Sequence, residues 1–254
     1  MPGRIQSIER AAAILRLLSG RTRRMGVVEL AGALELPKGT VHGILRTLRD
    51  VGFVEQDPDS GKYQLGAALL HMGSSYLDGN ELRTRALNWS DALASRTGES
   101  VRIGTLHEGR VLVVHHVFRP DDSRQALEVG ALLPAHATAI GKALLAESQY
   151  VFDELADAGL ARFTPATVTD PDVLRTQLRD ISERGWAADF EELVQGEVSY
   201  AAVIKDRRDV AVGAIGISGP VERLTKDGAA QTDSIAYVRE AARAVSRDLG
   251  AIPW

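Results

Sequence analysis

The sequence predicts an α+β protein: an N-terminal winged helix-turn-helix, then a larger domain in which helices cover a mainly antiparallel sheet. Three observations carry that expectation. Apolar residues recur at intervals of three and four in three short segments before residue 52. Two short strand-like runs then flank a turn-rich stretch. From residue 100 onward, β-branched runs alternate with amphipathic segments. The chain has 254 residues, 44% of them hydrophobic, which is enough for two cores. The expected division is a DNA-binding domain over 1–66, a linker helix over 67–80 and an effector-binding and oligomerisation domain over 81–254.

In the first segment Ser7 is placed to cap a helix whose apolar positions are Ile8, Ala11, Ala12, Leu15 and Leu18. A second stripe, Val27, Leu30, Ala31 and Leu34, stops at Leu36-Pro37, because proline disfavours helix in the residue before it. The third begins at Lys38, with Val41, Ile44, Leu45, Leu48 and Val51 inward and Gly52 as its stop. Phe53–Gln56 and Lys62–Leu65 flank Asp57-Pro58-Asp59-Ser60-Gly61, a hairpin signal in the position of a wing.

The outward face of the third helix holds Gly39, His42, Gly43, Arg46 and Arg49, with Lys38, Thr40 and Thr47 beside them. Hydroxyl, imidazole and cationic groups on such a helix reach base edges and phosphates in a major groove, so these residues are the expected contacts to double-stranded DNA. Lys62 of the wing, with Arg10, Arg23 and Arg24, is expected on phosphates. The alternative is a plain solvated face. Charge favours DNA: residues 1–66 carry ten Lys and Arg against seven Asp and Glu, although the whole chain is at −4.

Residues 67–77 read as one helix with a broad apolar side, Leu69, Leu70, Met72, Gly73, Tyr76 and Leu77, suited to a contact with a second copy. An amphipathic helix over 81–97 follows, stopped by Gly98. Strands are expected over 100–106, 111–118 and 125–129, then helices near 140–146, 151–158 and 173–184. Strands over 200–205 and 210–217 and a helix over 232–249 complete the domain.

Several motifs resemble those of the IclR family of bacterial regulators across nearly the whole chain. They are Gln6–Ala11, Leu36–Val41, Pro134–Ala143, Glu191-Glu192 with Gly196, and Gly216–Pro220. Within that family, His42–Leu48 and His115–Gln125 are similar to regulators of glycerol-catabolism operons. The resemblance implies a GAF-like effector domain, assembly into dimers or tetramers, and palindromic operators; a repressor is the expected sign of control, although the residues themselves do not separate repression from activation. The resemblance also implies that a small effector meets Leu133, Ala139, Ile140, Asp189, Ser199, Gly216 and Ser218. Ile140 and Gly216 stand where alanine and serine occur in the family's best-known member, which disfavours a simple keto acid. Gly43 stands where many relatives carry arginine.

The glycerol resemblance implies glycerol 3-phosphate or glycerol as effector, with Arg119, Arg124 and Lys142 as cations for a phosphate and the helix start at 138–141 as an anion-favouring end. The same three side chains read equally as surface or structural charges. A regulator of aromatic- or carboxylic-acid catabolism is the alternative. An enzyme is not expected, since the nucleophile-elbow, zinc-protease and Walker signatures are missing. Cysteine is absent, adjacent His115 and His116 face opposite sides of a strand, and neither a metal nor a cofactor is expected. No apolar run reaches membrane-spanning length, so a cytoplasmic protein without a membrane partner is expected.

Overall fold

A computed structural model describes residues 5–20, 24–121 and 125–251. They fall into two compact units, the first running to Gly79 and the second starting at Asn80.

The first unit is a three-helix domain with a wing. Helix α1 spans Gln6–Leu18, α2 Val27–Leu34 and α3 Lys38–Asp50. Strands β1, Val54–Gln56, and β2, Tyr63–Leu65, pair antiparallel, and Met25 bridges to Tyr63 beside them. Most of the periodic residues do what their spacing predicts: Leu18, Leu30, Ala31, Val41, Leu45 and Leu48 share one core with Val54 and Tyr63, joined by Ile14, which the stripe of the first helix did not include, whereas Ile8 and Val51, expected inward, are exposed at the ends of their helices. Ser7 is not a cap, because α1 already begins at Gln6 behind Ile5. At the start of α2 the amide of Gly26 donates to the Glu29 carboxylate at 2.6 Å. Glu35 takes the left-handed conformation, φ 54°, to end α2, and Pro37 opens α3 three residues after α2 ends. Helix α4, Ala67–Asp78, completes this unit and contains no buried residue.

The second unit is built on a six-stranded sheet in which every neighbouring pair is antiparallel, ordered β5-β4-β3-β8-β7-β6. Helix α5, Glu81–Thr97, is followed by β3, Ser100–His107, and β4, Arg110–Val117. The third strand is β5, Leu132–Pro134, and not 125–129. Its register against Arg110–Leu112 puts Pro134, which lacks an N–H, at the end of an edge strand where proline is tolerated. A 3-10 turn over Ala135–Ala137 leads into α6, Ala139–Leu145, and then α7, Gln149–Ala158, and α8, Pro171–Arg184.

Strand β6, Ala187–Phe190, was not foreseen; its Ala-Ala-Asp-Phe has little strand propensity. Strands β7, Glu197–Lys205, and β8, Ala211–Pro220, fill the sheet. The short α9, Val221–Leu224, and the ribbon of β9, Thr225–Lys226, with β10, Ala229–Ala230, lead to α10, Thr232–Asp248. Helices α5 and α10 pack together against one face of the sheet, and α6, backed by α7 and α8, packs on the other.

Register decides what faces α6. Directly opposed residues share a face, and the pairs Ser100↔Ser218, Ser218↔Ser199 and Ser199↔Asp189 form one polar rung across β3, β8, β7 and β6. The next rung is His116, Arg102, Gly216 and Ala201. A one-residue slip would turn both rungs to the other face. Gly216 lies under Ile140 of α6, where an added Cβ would come within 3.1 Å of the Ile140 side chain and 2.7 Å of the Tyr200 carbonyl.

Candidate functional site

Two features of the molecule can recognise something outside it. One is the outer face of α3. Lys38, Gly39, His42, Arg46, Thr47 and Arg49 are exposed and Thr40 and Gly43 half-exposed, because the apolar stripe commits the opposite side to the core. The Thr47 hydroxyl donates to the carbonyl of Gly43, and Arg49 reaches Gln56 of the wing at 3.4 Å. An added Cβ at Gly39 or Gly43 would meet no atom within 4 Å, so packing inside the chain does not require glycine at either place. Lys62 is less available than its sequence position suggests, since its ammonium sits 3.0 Å from the Glu29 carboxylate at the start of α2. Arg24 is likewise engaged, with Gln64 and Asp57 of the wing, while Arg23 lies outside the described residues.

The other feature is a cavity of about 180 Å³ between the polar rungs and α6. Its walls include six residues named from the sequence: Leu133, Ala139, Ile140, Asp189, Ser199 and Ser218. Thr138, from the helix start expected to favour an anion, lines it too, and Arg102, Glu128, Leu193, Val194 and Glu197 also line it and were not foreseen. A cation in the middle of the otherwise apolar and small-residue run 100–106 was the available signal for Arg102. Thr138 caps α6, its hydroxyl accepting from the Gly141 amide at 3.2 Å and donating to the Pro134 carbonyl at 2.9 Å.

The cations named from the sequence are elsewhere. Arg119 lies beside Asp121 at 3.3 Å and buried Glu99 at 3.9 Å, with Arg223 on the other Glu99 oxygen at 2.7 Å. Lys142, on the core side of α6, is 1% exposed and bonded to the buried Glu192 and, at 3.0 Å, to Gln177. Both serve ion pairs away from the cavity wall. Arg124 lies outside the described residues. Gly216 does not line the cavity; its part is to leave room for Ile140.

Asp189 accepts from the Glu192 amide at 2.7 Å and the Ser199 hydroxyl at 3.2 Å. Burial nevertheless pushes its carboxyl up to about 6. A raised folded-state value favours the protonated form, so the stability it contributes is present below about pH 4 and is lost as pH rises through 6. Asp189→Asn removes that loss. Relative to the parent, the variant is expected to gain about 3 kcal/mol between pH 4 and pH 7.5 in urea unfolding. Parallel pH profiles would show that Asp189 titrates normally.

Among the described residues no group of His, Asp and Glu could hold a metal ion, and no helix is long and apolar enough to cross a membrane.

A wing and a helix-turn-helix joined in one chain to a domain with a small cavity of mixed polar and apolar lining define a DNA-binding transcriptional regulator with an effector-binding domain. The chain belongs to the IclR family. The IclR helix-turn-helix domain matches residues 7–58, and the C-terminal part of bacterial transcriptional regulator IclR matches residues 74–247. The glycerol operon regulatory protein of Streptomyces coelicolor is 56% identical over 251 residues, 99% of each chain. The regulator XynR of Escherichia coli is 30% identical, covering 97% of this chain and 98% of its own. An IclR regulator from Alicyclobacillus acidocaldarius superposes with a TM-score of 0.82 at 26% identity, over 96% of this chain and 99% of that one. An IclR homologue from Microbacterium hydrocarbonoxydans complexed with 4-hydroxybenzoate gives 0.82 at 25% identity over the same shares.

Proposed function

We propose that this regulator represses a glycerol-catabolism operon, holding double-stranded operator DNA through α3 and releasing it when glycerol 3-phosphate or glycerol enters the cavity. The observation that carries the reading is the 56% identity, across 99% of both chains, to a protein named for control of a glycerol operon. The cavity supports it, since about 180 Å³ with an apolar side of Leu133, Ala139, Ile140, Leu193 and Val194 and a polar side of hydroxyls, carboxylates and one guanidinium takes a short metabolite that carries both a carbon chain and polar groups. Leu133, Ala139, Ile140, Asp189, Ser199 and Ser218 would surround it.

On the DNA side, Lys38, Thr40, His42, Arg46, Thr47 and Arg49 read or grip the groove. Gly39 and Gly43 allow duplex and helix backbone to come close, which gives exposed glycines a use that outweighs their cost of about 1 kcal/mol in a helix. Lys62 joins by exchanging Glu29 for a phosphate. The apolar face of α4, where Leu70 is 77% and Tyr76 56% exposed, is the proposed contact of a homodimer, which presents two reading helices to a palindrome. Dimer, or tetramer built from it, the assembly acts in the cytoplasm.

One gel-shift series tests this, using DNA upstream of a glycerol-catabolism operon. Glycerol 3-phosphate or glycerol is expected to weaken binding by about 5- to 150-fold. Arg46→Ala is expected to reduce preference for that DNA over random duplex by about 1–3 kcal/mol. The neighbour that holds 4-hydroxybenzoate motivates a third ligand arm. A response to that acid alone would reassign the protein to aromatic-acid catabolism, and an unchanged preference in the variant would remove α3 as the reader.

A further inference from the structure

The only guanidinium on the cavity wall, among the described residues, is already occupied. Arg102 holds Glu128 through Nε on one carboxylate oxygen and through Nη2 on the other at 2.9 Å, while Nη1 donates to the Ser218 hydroxyl. We propose that Glu128 is a built-in substitute for the effector's anionic group: a phosphate or carboxylate takes its place on Arg102 and Ser218, and the segment carrying Glu128 is released. This inference rests on reading the cavity as the effector site.

The two partners are supported unequally. Arg102 belongs to β3, which is paired on both edges, with His116 of β4 opposite on one side and Gly216 of β8 on the other. Glu128 stands outside any strand, between β4 and β5. Apart from the carboxylate, its residue is held by an amide donating to Nδ1 of His116 at 3.4 Å and a carbonyl accepting from Ala131 at 2.8 Å. Gly130, at φ 85° with no atom within 4 Å of an added Cβ, is bonded back to Val113 and supplies a pivot. Loss of the ion pair therefore loosens the stretch around Glu128, between Gln125 anchored on the Arg119 backbone and Gly130 on Val113, and leaves the strand in place.

The chemistry fits exchange better than addition. A guanidinium edge that grips both oxygens of a carboxylate presents the same fork to two oxygens of a phosphate. The other charged groups facing the cavity are Asp189 and Glu197, both acidic. With Glu128 in place an entering anion meets carboxylates and no free cation on the described wall, so it would be repelled. With Glu128 withdrawn it inherits Arg102 and the Ser218 hydroxyl. Both partners of the pair are part-exposed, at 19% and 31%, so the exchange does not strand a charge in a dry interior.

Titration calorimetry of the full chain with glycerol 3-phosphate, inorganic phosphate and glycerol tests the exchange, with operator binding measured alongside. Glu128→Gln removes the competing charge and keeps a hydrogen-bonding side chain, and is expected to tighten both anions by about tenfold while glycerol changes less than about twofold. Arg102→Gln is expected to abolish anion binding and Arg102→Lys to retain part of it; if either fails to fold, Glu128→Gln still decides. Anion affinity unchanged or weakened in Glu128→Gln overturns the exchange. Tightening without any ligand effect on operator binding supports the exchange and sinks the effector reading. Release of operator by glycerol alone does the reverse.

Discussion

Replacing Lys142 with methionine is expected to lower stability by about 3–5 kcal/mol, far more than the loss of one surface ion pair. The methionine is close in volume to the side chain it replaces, so packing changes little. What changes is the fate of Glu192. That carboxylate is 5% exposed, one of its oxygens is bonded to Lys142, and the other has no hydrogen-bond partner among the described residues. Stripped of its cation, it must carry an uncompensated charge, take up a proton or break out to water. Breaking out is obstructed, because the Glu192 backbone is fixed by its amide on Asp189 and by its carbonyl, which accepts from the Thr167 hydroxyl at 2.6 Å. Urea unfolding measures the loss. Lys142→Met combined with Glu192→Leu should recover most of it, since removing both charges leaves no charge to bury. A single variant that loses less than about 1 kcal/mol would show that Glu192 reaches solvent.

Gly141→Ala is the second large effect, and its sign separates two principles. On helix propensity alone, alanine inside α6 would stabilise by about 1 kcal/mol. Geometry opposes it: the new Cβ would lie 2.1 Å from the carbonyl oxygen of Ala135 and 2.3 Å from its Cα. These are backbone atoms of the 3-10 turn, fastened by the Thr138 hydroxyl to both Pro134 and Gly141, so no rotamer relieves the overlap. Either the turn or the helix must move. We expect a net loss of about 3 kcal/mol and a fall in melting temperature. Effector binding should weaken in parallel, since Thr138, Ala139 and Ile140 belong to the cavity wall. A rise in melting temperature would mean that the turn yields easily and that propensity dominates.

How much was legible in the sequence follows from how local each determinant is. The first unit could be read because every signal in it spans fewer than about fifteen residues: three apolar stripes, Leu36-Pro37, Gly52 and the Asp57–Gly61 turn. The face of α3 followed from the same periodicity. Strand β6 escaped because Ala187, Ala188 and Asp189 are in a strand only through pairing with Tyr200 and its neighbours, ten to fourteen residues away in the chain. The expected strand at 125–129 failed for the complementary reason. Gln125–Val129 has apolar residues but no strict alternation, and the edge of β4 at Arg110–Leu112 is taken by Leu132–Pro134.

The cavity was legible in part. Six of the seven positions implied by the family resemblance fell on its wall, Gly216 being the exception, whereas Arg102 and Glu128 meet across 26 residues of chain through the path of the segment between β4 and β5, which local spacing does not encode. Arg119 and Lys142 were plausible phosphate ligands by charge alone. The fold gives each a carboxylate from elsewhere in the second unit, Glu99 and Glu192.

Helix α4 has a consequence for dosage. Twelve residues with Gly73, Ser74 and Ser75 at the centre and no buried side chain make a helix that is marginal by itself in water. In the proposed homodimer its order would come from the second copy. Repression would then depend on copy number twice over, once through mass action on the operator and once through the folding of this joint. A cell carrying few molecules would feel the change more steeply than occupancy alone dictates.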